Sequence, residues 1–196
     1  MMVYFTTVHL FIGSVALFIV LIVLWKQKKS FSYMFFLLIF WIYMMGVVSV
    51  IVFPFPIGIP NANFKPDINL VPFDFGCCDP RMLSLCIRNL YENILLTIPF
   101  GFGISFIARI KPSNIVWLAI AVGFVFELSQ LVIALIFRSS FRTVDINDVI
   151  LNAAGVLIGY GIFRIFGWLY SAVVHKLQAQ PHFIFAYIYD IVRHQN

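Results

Sequence analysis

The feature of this sequence that most restricts its fold is a series of apolar stretches, each close to the length that crosses a lipid bilayer. Five of them occupy residues 8–25, 33–53, 94–108, 115–137 and 149–170. A transmembrane helix needs about 20 apolar residues to cross a hydrocarbon core about 30 Å thick. The third stretch is shorter, and Asn93 with the residues before it would extend it by a turn or two. We therefore predict an all-α integral membrane protein with about five transmembrane helices.

The composition agrees with a membrane environment. Apolar residues make up 62% of the 196 residues, charged residues make up 11%, and the mean hydropathy is +1.00. Soluble domains have about 45–50% apolar and ~25% charged residues, so this chain has too few charges to cover a water-facing surface. The stretch 8–25 does not fit a cleavable signal peptide, because no Lys or Arg precedes it and a basic run follows it. We expect a multi-pass protein of the cell membrane.

The distribution of basic residues predicts the orientation. Lys26, Lys28 and Lys29 follow the first apolar stretch, and cytoplasmic loops of membrane proteins carry an excess of Lys and Arg. With that loop inside, Arg109 and Lys111 also face the cytoplasm, the N-terminus faces out and the C-terminus faces in. The same bias accounts for the net charge of +5, so we expect no nucleic-acid partner.

The pattern divides the chain into four regions. Residues 1–53 are predicted to form two transmembrane helices, 54–92 an extracellular segment, 93–170 a core of three transmembrane helices, and 171–196 a cytoplasmic amphipathic tail. Six of the nine prolines lie in 54–92, and this density excludes a regular helix through them. The apolar content of the segment argues against disorder, so we predict an ordered outer loop or re-entrant segment. The apolar patch 183–192 is too short to span, and we expect it in the inner membrane interface.

The three cysteines, Cys77, Cys78 and Cys86, all lie in the extracellular segment. An odd number leaves one thiol unpaired there, and adjacent cysteines rarely bond to each other because the ring is strained. A disulfide from Cys86 to either of the others is one interpretation, and small apolar residues at an interface are the other. We expect no metal site, because no histidine lies nearby and no C-x-x-C spacing occurs.

Polar residues interrupt the last apolar stretch with a helical period. Five residues spaced three and four apart share one helix face: Asp145, Asp148, Asn152, Gly155 and Gly159. Glycines on such a face let a neighbouring helix approach closely. We therefore predict that Gly155 and Gly159 are packing positions and that the polar half of the stripe faces the protein interior.

Neighbouring segments contribute further polar residues to this region. An acid at mid-bilayer depth costs roughly 2.5–3.5 kcal/mol on insertion scales, so ionisable residues there face the interior or a wet cavity and indicate function. Eight residues are predicted to bind a ligand: Asn93, Glu127, Gln130, Arg138, Arg142, Asp145, Asp148 and Asn152. The alternative is that these side chains only hold three helices together.

Several motifs in the chain resemble those of the VanZ-like family of bacterial membrane proteins. They are NLVPF at 69–73, N…N…L…PFGF through 89–102, ExxQ at 127–130 and RxxDxxDxxxNxxGxxxG at 142–159. The resemblance covers roughly residues 69–160. It implies an association with low-level resistance to teicoplanin, a glycopeptide that acts on cell-wall precursors outside the membrane.

Two classes of function remain open from the sequence. The first is a binding or membrane-remodelling protein whose outward-facing polar pocket engages membrane lipids or a lipid-linked cell-wall precursor. Arg138 and Arg142 would suit a zwitterionic or phosphorylated head group, because arginine matches phosphate geometry bidentately. The alternative is an intramembrane enzyme acting on a lipid head group, with Glu127 as general base and Asp145 and Asp148 holding a cation. The sequence carries no strong nucleophile motif, and we expect no bound cofactor.

Overall fold

The computed structural model describes residues 1–57, 64–75, 83–139 and 142–195. Within these ranges the chain forms six α-helices: α1 (Thr7–Lys26), α2 (Phe31–Ile51), α3 (Leu83–Gly103), α4 (Ile115–Phe137), α5 (Ile146–Lys176) and α6 (Phe183–Gln195). Two 3-10 turns, Ile104–Phe106 and Pro112–Asn114, connect α3 to α4. The prediction of an all-α, membrane-type fold is confirmed.

Four helical segments in the described ranges are long and apolar enough to cross a membrane: Thr7–Lys26, Phe31–Ile51, Pro112–Phe137 and Ile146–Lys176. Helix α3 has 21 residues, or about 31 Å at 1.5 Å per residue, but its first half carries charged and amide side chains. It contains the start of the third apolar stretch, begins at Leu83 rather than at 94, and ends at Gly103 rather than at 108. The predicted number of five spans therefore stays a prediction.

Four two-residue β-strands show which ends of the helices lie together. Strand β1 (Met2–Val3) pairs antiparallel with β2 (Phe55–Pro56), and β3 (Ile68–Asn69) pairs in parallel with β4 (Val144–Asp145). The N-terminus, the described part of residues 52–75 and the α4–α5 connection therefore meet at one end of the bundle. We call it the cavity end.

The opposite end of the bundle, called the basic end, comprises the 27–30 turn, residues 104–114 and residues 177–195. The rings of Phe36 on α2 and Phe106 stack there, with centroids 4.6 Å apart. Helix α6 folds back onto this end, where the Tyr187 hydroxyl donates a 2.6 Å hydrogen bond to the Phe106 carbonyl. Burial raises the pKa of Tyr187 to about 12. The tail segment is thus helical and docked on the bundle, and its position relative to a membrane stays a prediction.

Helices α3 and α5 form the closest helix pair of the bundle. A Cβ atom added at Gly155 would collide with the Thr97 hydroxyl and the Ile94 carbonyl, and one added at Gly159 would collide with the Ile98 carbonyl. Without side chains at these two positions, the backbones of the two helices touch. Helix α5 continues past the predicted end at 170 to Lys176.

The described part of the proline-rich segment runs along the cavity end. Residues 83–92, which the sequence analysis grouped with this segment, form the first half of α3. Cys86 on α3 is disulfide-bonded, and Cys77 and Cys78 lie outside the described residues.

Candidate functional site

An open cavity of about 1060 Å³ lies at the cavity end, between α2, α3, α4, α5 and the segment 69–75. Six of the eight residues predicted to bind a ligand line it: Asn93, Gln130, Arg142, Asp145, Asp148 and Asn152. Further polar lining comes from Asn69, Asp74, Arg88, Asn89, Glu92 and Thr143. The apolar part of the wall consists of Val50, Ile51, Phe75, Leu95, Leu96 and Phe126. The cavity is therefore amphipathic.

Asp145 immediately precedes α5, and its carboxylate caps the helix. Its Oδ1 atom accepts a 2.8 Å hydrogen bond from the backbone N–H of Asn147, the usual role of an aspartate at this position. Its Oδ2 atom accepts a 3.1 Å hydrogen bond from Nδ2 of Asn69. One carboxylate thus fixes both the start of α5 and the first residue of the 69–75 segment.

Glu127, one of the predicted ligand-binding residues, does not line the cavity. Its side chain is 4% exposed, and its Oε2 atom accepts a 2.9 Å hydrogen bond from the backbone N–H of Asp145. A buried backbone N–H needs such an acceptor. The structure therefore places Glu127 behind the cavity wall, where it positions the beginning of α5.

Asn147 is a residue of the site that the sequence analysis missed. It is 2% exposed, and its Nδ2 atom donates to the carbonyls of Val71 and Asp74 at 3.1 and 3.0 Å. Its Oδ1 atom accepts a 2.6 Å hydrogen bond from the backbone N–H of Phe73. Asn147 thus holds the turn 71–74 onto α5, and the only signal for it in the sequence was an amide in the first turn of an apolar helix.

Asp148 connects α5 to the polar half of α3. Its Oδ1 atom accepts hydrogen bonds from Nδ2 of Asn93 at 2.7 Å and from Nδ2 of Asn89 at 3.2 Å. One turn further along α5, Asn152 is 1% exposed, and its Nδ2 atom donates to the backbone carbonyl of Asp148 at 2.8 Å. The carbonyl of Asn152 in turn accepts a 2.8 Å hydrogen bond from the Thr97 hydroxyl. The stripe predicted from the sequence is therefore a hydrogen-bonded connection between α3 and α5.

Arg142 lies at the cavity wall and is directed toward the end of α2. Its guanidinium donates to the carbonyls of Val50, Ile51 and Phe53 at 2.8, 3.3 and 3.4 Å. The last carbonyls of a helix have no partner within the helix, and a cation there also complements the helix dipole. Burial lowers the pKa of Arg142, although a guanidinium remains charged in proteins.

Arg138 does not join Arg142 at the cavity. It is exposed, it follows the last residue of α4 with a left-handed φ of 47°, and it does not line the cavity. The pair of arginines predicted to hold a phosphate group is therefore separated. Elsewhere on the wall, Arg88 forms an ion pair of 2.6 Å with Glu92. In the part of the chain that the structure describes, no group of three His, Cys, Asp or Glu side chains is arranged for a metal ion.

The fold and the cavity define a class: a helical membrane protein with a polar cavity at one end of its bundle. The model of the VanZ/LLP1 family matches residues 40–167, from the middle of α2 into α5. The chain belongs to the VanZ/LLP1 family, and the matched range contains every residue that lines the cavity. Neither the curated proteins nor the solved structures include a significant match to the chain.

Proposed function

We propose that this protein binds a cell-envelope or lipid-linked ligand in the cavity at the cavity end. The observation that carries this proposal is the amphipathic lining of an open space of about 1060 Å³. Ligand sites combine apolar walls with a few polar groups that fix orientation. An amphiphile with a polar head group and an acyl chain meets both requirements, since the lining combines carboxylates and amides with apolar side chains such as Leu95 and Phe126.

The proposed orientation places the cavity at the outer face of the cell membrane. Five of the six lysines belong to the basic end or to the helix ends that lead into it: Lys26, Lys28, Lys29, Lys111 and Lys176. Cytoplasmic loops are the ones enriched in Lys and Arg. With the basic end inside, the cavity is open to ligands that reside on or reach the outer leaflet.

We further propose that occupation of this cavity alters cell-envelope phenotypes, of which glycopeptide susceptibility, including that to teicoplanin, is the first to examine. Such antibiotics act on precursors at the same face. The support is family membership together with the proposed outward opening. The protein would act by binding or redistributing a ligand at this face, without a covalent step.

The geometry does not favour the enzymatic alternative. That reading assigned a general base to Glu127, which is 4% exposed and already accepts a hydrogen bond from the Asp145 backbone. A general base has to come within hydrogen-bond reach of the proton that it removes. Glu127 is not among the described residues that line the cavity.

The test distinguishes a ligand-binding role of the polar residues from a purely structural role in holding the helices together. Asp148→Asn keeps an oxygen that accepts from Asn93 and removes the charge, so we expect normal abundance in the membrane. We expect this variant to lose the effect of the protein on glycopeptide susceptibility. Asp190→Asn, an exposed change on α6, is the matched control and should behave as the wild type.

The measurement is the minimum inhibitory concentration plotted against membrane abundance for each variant. If the phenotype of Asp148→Asn falls only in proportion to its abundance, the polar residues are structural and the binding proposal is wrong.

A further inference from the structure

Four residues of the cavity wall direct hydrogen-bond donors at protein acceptors. The amides of Asn89 and Asn93 both donate to one oxygen of Asp148. The Arg142 guanidinium donates to the carbonyls at the end of α2, and Arg88 donates to Glu92. A ligand entering the cavity therefore meets a wall whose strongest donors have partners.

Two oxygen atoms of the cavity wall, by contrast, accept no hydrogen bond from a described residue. The Oδ1 atom of Asn152 is buried and has no hydrogen-bond donor among the described residues, while the contact from Nδ2 to the Asp148 carbonyl fixes the orientation of this amide. Buried polar atoms in native proteins nearly always have a partner. The Oδ2 atom of Asp148, one helical turn away on the same face, has no hydrogen bond to a described residue either. Both of these oxygens therefore lack a donor among the described residues.

Among the described residues, the cavity lining has more carboxyl groups than guanidinium groups. Four carboxyl groups and two guanidinium groups line the cavity in the described residues: Asp74, Glu92, Asp145 and Asp148 against Arg88 and Arg142. A cleft lined mainly by one sign of charge raises the local concentration of the opposite ion. This wall favours a cation over the phosphate group that the sequence suggested.

From the buried Asn152 oxygen, the Asp148 carboxylate and the excess of carboxyl groups, we propose that the cavity recognises a primary ammonium group. This inference rests on the proposed function and names the chemical group that the ligand presents. A primary ammonium has three N–H donors and no acceptor. Asn152 and Asp148 lie one turn apart on α5, where side chains are neighbours, and in this proposal a single ammonium group donates to Asn152 Oδ1 and Asp148 Oδ2.

The source of the ammonium group is either an aminated lipid head group or a small water-soluble amine. The apolar side chains of the lining, which include Leu95 and Phe126, suit the first source. A trimethylated ammonium carries the same charge but has no N–H to donate. The comparison of methylated with unmethylated head groups therefore separates hydrogen-bond recognition from simple charge attraction.

The test is native mass spectrometry of the full chain, purified in detergent and titrated with phosphatidylethanolamine, phosphatidylcholine or phosphatidylglycerol. We expect phosphatidylethanolamine to bind at least about tenfold more tightly than the other two, because phosphatidylcholine has no N–H to donate and phosphatidylglycerol has no ammonium group, and a hydrogen bond to a charged group is worth about that much. Asp148→Asn and Asn152→Leu should each remove this preference, and Asp190→Asn should retain it. Asp148→Asn can retain the contact with Asn93, so it still tests the inference if Asn152→Leu fails to fold. Glycerophosphoethanolamine, a water-soluble amine, is titrated in parallel.

Binding of phosphatidylethanolamine alone, with loss in Asp148→Asn, supports the inference with a lipid as the source. Comparable binding of glycerophosphoethanolamine with the same sensitivity supports it with a soluble amine as the source. Equal binding of the three lipids, tighter binding of phosphatidylglycerol, or no binding of either amine overturns it. In those cases the proposed function still stands if Asp148→Asn loses the susceptibility phenotype at normal abundance, so the two failures are distinguishable.

Discussion

The backbone N–H of Asp145 donates a 2.9 Å hydrogen bond to Oε2 of Glu127. This bond joins the middle of α4 to the residue that caps the start of α5. The first N–H groups of a helix have no acceptor within the helix. In an apolar bundle the acceptor has to come from another segment, and a carboxylate is a strong one. This contact accounts for an acid in the centre of an otherwise apolar helix.

Replacement of Glu127 should distinguish an acceptor from a base. Glu127→Gln retains an oxygen for the Asp145 N–H, so we expect little change in stability and a retained susceptibility phenotype. Glu127→Leu leaves a buried N–H unpaired, which costs about 1–3 kcal/mol, and should lower the melting temperature in detergent. Loss of the phenotype in Glu127→Gln at full abundance would show that the charge itself acts in function.

The contact between α3 and α5 gives a prediction with an internal control. Gly155→Ala and Gly159→Ala introduce a Cβ against the α3 backbone, and both should reduce the yield of folded protein after extraction. Gly161→Ala, on the same helix, meets nothing within 4 Å. Alanine is favoured over glycine inside a helix by about 1 kcal/mol, so this control should be neutral or stabilising. Size-exclusion profiles and melting temperatures measure the difference, and equal behaviour of the three variants would rule out the close contact.

Asn147→Asp should release the turn 71–74 from α5. The substitution replaces the Nδ2 donor with a carboxylate oxygen that faces the carbonyls of Val71 and Asp74 and the Asp145 side chain. We expect faster amide hydrogen exchange over residues 69–75, measured by mass spectrometry on purified protein. Asn114→Asp, an exposed change at the start of α4, is the control and should leave exchange in that segment unchanged. Protection of the Phe73 amide in Asn147→Asp would contradict the assignment.

Arg142→Gln should loosen the end of α2, because it replaces a charged donor to the carbonyls of Val50 and Phe53. Hydrogen bonds to charged groups contribute about 1.5–3 kcal/mol, and we expect a loss of stability of this order. Arg138→Gln, at the exposed end of α4, should change stability by less than about 0.5 kcal/mol. Thermal unfolding of the two variants side by side makes the comparison, and equal losses would refute the capping role.

The orientation can be tested without substitutions. Lys65 is the one lysine at the cavity end, and the other five belong to the basic end or lead into it. A membrane-impermeant amine reagent applied to intact cells should modify Lys65 and spare Lys28 and Lys111, which should react after permeabilisation. Peptide mapping measures the modification. Labelling of Lys28 but not Lys65 in intact cells would reverse the proposed topology.

The sequence predicted the features that depend on helical period. The three- and four-residue spacing on α5 placed Asp148, Asn152 and Gly155 on one face, and the structure joins that face to α3. Helical spacing depends only on residues close together in the chain, so a single sequence is enough to detect it. The positions of the apolar helices follow from the same kind of local signal.

The features that were missed depend on partners far along the chain. Arg142 is directed at carbonyls about 90 residues earlier, and no side-chain pattern marks a backbone carbonyl as a partner. The same is true of Asn147, which binds the main chain of a turn 73 to 76 residues away. Glu127 has a backbone N–H as its partner, and since every residue except proline possesses one, no sequence pattern marks that contact.

Asn147 holds the turn 71–74 through main-chain atoms, so the side chains of Val71 and Phe73 take no part in this attachment. Val71 and Phe73 are 58% and 72% exposed, and their replacement should leave the turn attached to α5. The exposed surface of this turn can therefore change without cost to its contact with α5. Substitutions at these two positions would change the exposed surface of the turn while preserving its attachment to the bundle.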